Sequence, residues 1–266
     1  MYDAETGRFI NEDPIKDGTN WYIYCNGNPI LFIDIFGLAP TPEASAYIAE
    51  HIYKHDKDSS YTDRQVKYED GTLVGWRMID SKTGREGMKM GFYIPEGDDW
   101  RNPSEYVVAF KGTTWYDLED WKNNAEQLLS PKSADMWDAI NYGTEFVNAK
   151  SGYEITFVGH SKAGAEAAST AVATNRNAII FNPATSNLSA YGLSSSNYTA
   201  SMTAFIVKGD IVNTAEGWFS RPIDEMVMLP QQHGGKWYDL WQTSLYQSIQ
   251  NHLMDAVKAA LEEDGY

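Results

Sequence analysis

The sequence predicts an α/β fold, a mostly parallel sheet with helices on both faces, preceded by a short segment rich in small β-hairpins. Three observations predict it. From about Ala39 onward, short apolar runs of the buried-strand type alternate with runs of helical spacing. Within that alternation, Ile155-Thr156-Phe157-Val158 passes through one sharp turn into an Ala-rich helix. The first 38 residues follow a different pattern, with turn-forming pairs separating short aromatic runs. At 266 residues the chain accommodates one good-sized domain and an appendage. We therefore divide it into residues 1–38 and 39–266.

Taken in order, Pro42 to His51 reads as a helix. Thr72 to Ile79 and Met88 to Ile94 read as a hairpin joined through Ser81-Lys82-Thr83-Gly84. Glu105 to Phe110 is a buried strand. Ala134 to Ala149 is a helix on the spacing of Met136, Ile140, Phe146 and Val147, stopped by Gly152. Glu154 to Val158 is the next strand, and the helix after it runs from Ser161 to about Thr174. Ala178 to Phe181 and Thr203 to Val207 are two more strands, and Leu253 to Leu261 is a closing helix.

Composition narrows the function classes. Against 37 acidic residues there are only 21 Lys and Arg, so the formal charge is −16. Such a surface repels phosphate backbones, which disfavours nucleic-acid binding. A lipid would have to be engaged through apolar contacts. Cys25 is the single cysteine, which excludes an internal disulfide and a thiolate metal site. No apolar run approaches the roughly 18 residues of a membrane span. The N-terminus has neither the basic nor the apolar region of a signal peptide, so export would rely on something outside this sequence.

The chemistry concentrates at Gly159-His160-Ser161-Lys162-Ala163-Gly164. A strand, a sharp turn and a helix are what a nucleophile elbow requires, with small residues at Gly159 and Ala163 relieving the crowding. Ser161 is the candidate nucleophile, and the helix N-terminus behind it favours a developing oxyanion, with the N–H of Lys162 as one donor. A plain N-cap is the competing reading of Ser161. A serine nucleophile needs a base and an orienting acid, in the chain order Ser, acid, His for α/β-hydrolases. Asp210 follows the strand that ends at Val207, where the acid belongs; Asp224 and Asp239 follow no such strand. After Ser161 only His233 and His252 remain as bases. His252, read near the start of the last helix, is held more rigidly than His233 in Gln232-His233-Gly234-Gly235. The second oxyanion donor is the N–H of Thr113, beyond the strand that ends at Phe110. No metal or organic cofactor is called for.

These motifs resemble the class 3 lipase family over about Glu105 to Leu261. The match rests on Phe110-Lys111-Gly112-Thr113, Asp120-Trp121, the Ser161 turn, Asp210-Ile211-Val212 and His252, in that order. Ala163 and Lys111 depart from the family's usual residues. The resemblance implies a serine esterase, lipase or phospholipase that forms an acyl-enzyme. A non-catalytic binding module on the same fold, and an acyltransferase or peptidase using the same triad, remain alternatives.

Residues Tyr2 to Leu38 resemble the end of the Rhs-repeat core that precedes a variable toxin in bacterial polymorphic toxins. In that family a motif Asp-Pro-x-Gly-Leu ends the core, and self-cleavage follows its Leu. Here the segment reads Asp34-Ile35-Phe36-Gly37-Leu38, with an upstream Asp13-Pro14-Ile15-Lys16. Asp13, Asp34, Gly37 and Leu38 are thus the candidate self-cleavage residues. The resemblance implies an effector with contact-dependent or type VI-like delivery that acts at a target-cell membrane. It also implies the Rhs shell and secretion machinery, and a cognate immunity protein, as partners.

Overall fold

The computed structural model describes residues 2–3, 8–9, 40–57, 63–85, 87–111, 133–185, 187–212, 225–234 and 241–266. In chain order they form β1 (Tyr2–Asp3), β2 (Arg8–Phe9), α1 (Pro42–Lys57), β3 (Gln65–Lys67), β4 (Leu73–Thr83), β5 (Lys89–Pro95) and β6 (Glu105–Lys111). There follow α2 (Ala134–Ala149), β7 (Glu154–His160), α3 (Lys162–Thr174), β8 (Asn177–Phe181), β9 (Met202–Val207), β10 (Glu225–Leu229), α4 (Trp241–His252) and α5 (Met254–Asp264). Two short 3₁₀ turns lie between β8 and β9.

β3 to β10 make one eight-stranded sheet in simple sequence order. From β6 to β10 every neighbour is parallel. The predicted β4–β5 hairpin extends this half antiparallel, with β3 outside it. The sheet is therefore mixed: direct turns reverse the chain at β4–β5–β6, whereas crossovers through α2 and α3 keep β6, β7 and β8 parallel. β1 and β2 pair antiparallel with each other, as a small hairpin should.

Period-two alternation sends one set of side chains to each face. Val107, Ala109, Val158 and Phe205 pack under α1 and α5, together with Ile48, Ile52 and Val257. Val108, Phe110, Ile155 and Phe157 pack on the other face against α2 and α3. Each such buried Phe or Ile stabilises the fold by about 1.5–3 kcal/mol. α3 presents Ala163, Ala167, Ala168 and Ala171 to the sheet, small enough for a close approach. α2 comes so near that a Cβ on Gly143 would overlap the Thr170 methyl.

Local signals set the helix starts. Thr41 Oγ1 accepts from the Ala44 amide at 3.0 Å, with Pro42 in the first turn of α1. Ser133 Oγ likewise accepts from Met136 N at 3.1 Å to cap α2. The closing segment differs from its prediction. Two helices, α4 and α5, stand where one was expected, and they break at Leu253. α4 went unread because Gln, Thr and Ser dilute its apolar spacing.

Candidate active site

The carboxyl ends of β7, β8 and β9 lie side by side, the edge where open α/β sheets carry their sites. Ser161 is the first residue beyond β7. Its backbone has φ 60° and ψ −127°, a region an L-residue enters only under constraint. Several bonds hold it there: its N–H donates to Phe181 O at 3.1 Å, and its carbonyl accepts from Gly164 N at 2.9 Å and Ala184 N at 3.0 Å. The turn is sharp enough that a Cβ on Gly159 would overlap the Ala163 carbonyl, and one on Gly164 would stand 2.8 Å from Pro183 Cβ. Ala163, fully buried, fits this space.

The Ser161 side chain makes no capping bond to α3, which sets aside the N-cap reading. Its Oγ lies 2.8 Å from His252 Nε2. His252 Nδ1 lies 2.5 Å from Asp210 Oδ2. An ionised Asp210 accepts, so Nδ1 carries the proton and Nε2 is left to accept from the Ser161 hydroxyl. All three residues are buried. Asp210 arrives through the turn after β9, where Gly209 takes φ 81° and Asp210 N bonds Val207 O at 3.0 Å.

His252 is the last residue of α4, not an early residue of the closing helix. Its carbonyl ends a helix and lacks an intrahelical donor. Two side chains supply donors instead: His160 Nε2–H at 2.6 Å and Asn182 Nδ2 at 3.2 Å. Asn182 Nδ2 also donates to Asn251 O at 3.0 Å, while its Oδ1 accepts from Val207 N at 2.9 Å. The Asn182 side chain thus joins the ends of β8, β9 and α4. His160 stays neutral because burial, and then the nearby His252, push its pKa down to about 3.

His233 is exposed, and its ring has no partner among the described residues. Its backbone is nevertheless tied to the site, since Asn251 Oδ1 accepts from His233 N at 2.8 Å. Asn251 thereby pins that loop beside His252.

Lys162 opens α3, so its N–H is one of the donors a helix N-terminus leaves free. Its side chain turns away and pairs with the Asp135 carboxylate at the start of α2. Asp135 Oδ1 in turn accepts from Met88 N at 3.1 Å. Glu166, one turn along α3, has its nearer oxygen 3.8 Å from Lys162 Nζ and is buried with no hydrogen-bond partner among the described residues. Burial raises its pKa to about 8, against a smaller opposing effect of Lys162. Glu166 is accordingly protonated at neutral pH.

Thr113 lies outside the described residues, as do Asp120, Trp121, Asp224 and Asp239. The leader residues Asp13, Asp34, Gly37 and Leu38 lie outside them too. Among the described residues, three carboxylates approach one another closely at Glu50, Glu69 and Asp255. Lys258 already sits among them, 3.0 Å from Glu50 and 2.5 Å from Glu69. No described helix is long and apolar enough to cross a membrane.

His160 and Asn182 were not singled out by the sequence reading. A usable signal existed for Asn182, a polar residue at the carboxyl end of a buried strand, in register with the Ser161 turn.

The chain is 36% identical over 90 residues to an extracellular phospholipase A1 of Serratia liquefaciens, which covers 32% of this chain and 26% of that protein. It thus spans about a quarter of that relative's length. Among solved structures, it is similar to the Lip2 lipase of Yarrowia lipolytica, with 12% identity and a TM-score of 0.46, covering 71% of this chain and 77% of that one. It is also similar to a triacylglycerol lipase of Penicillium expansum, with 10% identity and a TM-score of 0.41, covering 71% and 77%. The model of the phospholipase-like family, described as a Tle-like phospholipase domain, matches residues 44–239. With most of its length inside that match, the chain belongs to the Tle-like phospholipase domain family.

Proposed function

We propose that the chain is a serine carboxylic-ester hydrolase that deacylates membrane phospholipid, with Ser161 as nucleophile, His252 as general base and Asp210 as its orienting acid. The observation that carries this reading is the continuous contact Ser161 Oγ–His252–Asp210 at 2.8 and 2.5 Å, built on a strained serine. His252 Nε2 takes the Ser161 proton as Oγ attacks the ester carbonyl, giving a tetrahedral oxyanion. The N–H of Lys162 faces that oxyanion, and the N–H of Thr113 is the second proposed donor. Collapse transfers the proton from His252 to the leaving alcohol and leaves an acyl-Ser161. Water, activated by the same imidazole, then releases the fatty acid.

A binding module with no catalysis has no use for a serine held at φ 60°. Strain of this kind is retained where the geometry serves chemistry. The net charge of −16 means that an anionic bilayer must be engaged by apolar contacts. The leader's likeness to an Rhs core supports a delivered antibacterial effector, with residues 1–38 as the core's tail and 39–266 as the toxin. On this reading a cognate immunity protein protects the producer.

The test is mass-spectrometric profiling of phospholipid vesicles exposed to the wild-type protein and to Ser161→Ala, together with fluorophosphonate labelling. We expect lysophospholipid and fatty acid from the wild type only, and a label on Ser161. Intact phospholipid with labelled Ser161 would remove the phospholipase and leave another acyl-transfer activity. Folded protein without label would remove the serine hydrolase.

A further inference from the structure

On the face of the sheet covered by α2 and α3, the described helices stop short of β3 and β4. Ile79 and Arg77 of β4 face outward there, beside the second half of α2. This leaves a cavity of about 760 Å³ between β4, β5 and the end of α2. Its volume suits a small-molecule site. No residue of the Ser161–His252–Asp210 set lines it.

Its lining is unlike the rest of the chain. The floor is aromatic: Phe92 and Phe146 stack at 4.5 Å, and Tyr106 meets Phe146 edge-on at 5.2 Å. The rim carries Arg64, Arg77, Lys82 and Lys150 against only Asp80 and Glu145, in a protein of net charge −16. Lys82 is paired, 3.1 Å from Glu145. The two arginines are not: among the described residues Arg64 bonds only the Ile79 carbonyl and Arg77 only the Asp98 carbonyl, each at 2.6 Å. A guanidinium offers five donors, so most of each fork is left over. Among the described residues no carboxylate pairs with either arginine, although acidic residues outnumber basic ones 37 to 21, so both forks are placed to take an external anion. The hydroxyl of Tyr106, on the cavity wall, is likewise buried without a hydrogen-bond partner among the described residues.

We propose that this cavity binds a single-chain anionic amphiphile, its phosphate or carboxylate head held by Arg64 and Arg77 and its hydrocarbon laid over Phe92 and Phe146. Arginine forks bind either oxyacid in the same way, so the head group is defined by its chemistry. The aromatic floor adds what a free anion cannot use. The site stands apart from the chemistry at Ser161 and does not depend on it.

Calorimetric titration tests it, using decyl phosphate, decanoate, inorganic phosphate and decyltrimethylammonium, each below its micelle-forming concentration. We expect one of the two anionic amphiphiles, or both, to bind at least tenfold more tightly than inorganic phosphate or the cationic amphiphile; their relative strength identifies the head group. The double variant Arg64→Gln, Arg77→Gln should lose at least tenfold in affinity. Lys54→Gln, which removes an exposed cation elsewhere, should lose none. Equal binding of the cationic amphiphile, or failure of both anionic ones to bind, overturns the proposal on the wild-type protein alone. Undiminished binding by a folded double variant overturns it by assigning the ligand to another site, the acyl pocket included. Inorganic phosphate binding as tightly as decyl phosphate overturns the amphiphile assignment.

Discussion

His160 Nε2–H donates to the carbonyl oxygen of His252 at 2.6 Å, and the two rings lie 4.8 Å apart. The residue before the candidate nucleophile thus holds the main chain of the candidate base. β7 delivers both Ser161 and this anchor, so the serine-to-histidine distance is set over a short path.

From that relationship, His160→Leu should lower kcat on a soluble ester about 10- to 100-fold, the effect of one lost buried hydrogen bond of roughly 1–3 kcal/mol. KM should change less than about twofold. His160→Gln, which can still donate, should recover part of the loss. A KM effect with unchanged kcat in steady-state kinetics would contradict the anchoring role.

Asp210→Asn should leave the protein folded and reduce kcat by about three to four orders of magnitude, because an amide at that position favours the wrong tautomer of His252. The double variant with Ser161→Ala should be no worse than Ser161→Ala alone, as expected of groups that act as a unit. Additive losses would show that Asp210 acts elsewhere.

Asn182 takes φ 39° and spends its amide on Val207, Asn251 and His252. Asn182→Ala removes those bonds and forces a less tolerant side chain into the left-handed region. We expect a loss of about 2–4 kcal/mol in denaturant unfolding. Asn182→Gly relieves the backbone strain but not the lost bonds, so it should remain clearly less stable than wild type. Wild-type stability in the glycine variant would mean that the amide bonds contribute nothing.

Glu166 makes stability depend on pH with a definite sign. Its pKa is raised from 4.5 to about 8 in the folded protein, so the native state holds a proton that the unfolded state releases. This contribution is complete below about pH 4.5 and is lost as pH rises toward 8, by at most about 1.4 kcal/mol per pH unit. Glu166→Gln, which stays neutral, should flatten the stability curve over that window and be the more stable protein at pH 8.5. Parallel pH profiles from urea unfolding would refute the buried neutral carboxyl.

Gly159→Ala would place a Cβ on the Ala163 carbonyl, a backbone atom that cannot swing aside. We expect weak or absent fluorophosphonate labelling and a destabilisation of about 3 kcal/mol or more. Gly152→Ala, where a Cβ meets nothing within 4 Å, is the neutral control.

Much of this architecture was legible from local pattern. Ala134–Ala149, capped by Ser133, has the predicted boundaries because apolar spacing and capping agree there. The β4–β5 hairpin and the strands around Ser161 were legible as short apolar runs. β10 was not: Glu225 to Leu229 is a five-residue parallel edge strand whose exposed Met226 and Met228 obscure its alternation. β3, at three residues, is too short to carry a period.

The sequence by itself determined most of the elements, the sharp turn at Ser161 and the order Ser161, Asp210, His252, because these depend on neighbours within a few residues. It favoured His252 over His233 as the candidate base without excluding either. The tertiary structure places the last side chain of α4, His252, between Ser161 and Asp210 and leaves His233 at the surface. It alone paired His160 and Asn182 with the His252 carbonyl and left Arg64 and Arg77 beside a stretch of sheet that no described helix covers. The physical reason is common to these cases. Hydrogen bonds and cavities join residues far apart in the chain, and no local period encodes which strand ends will meet.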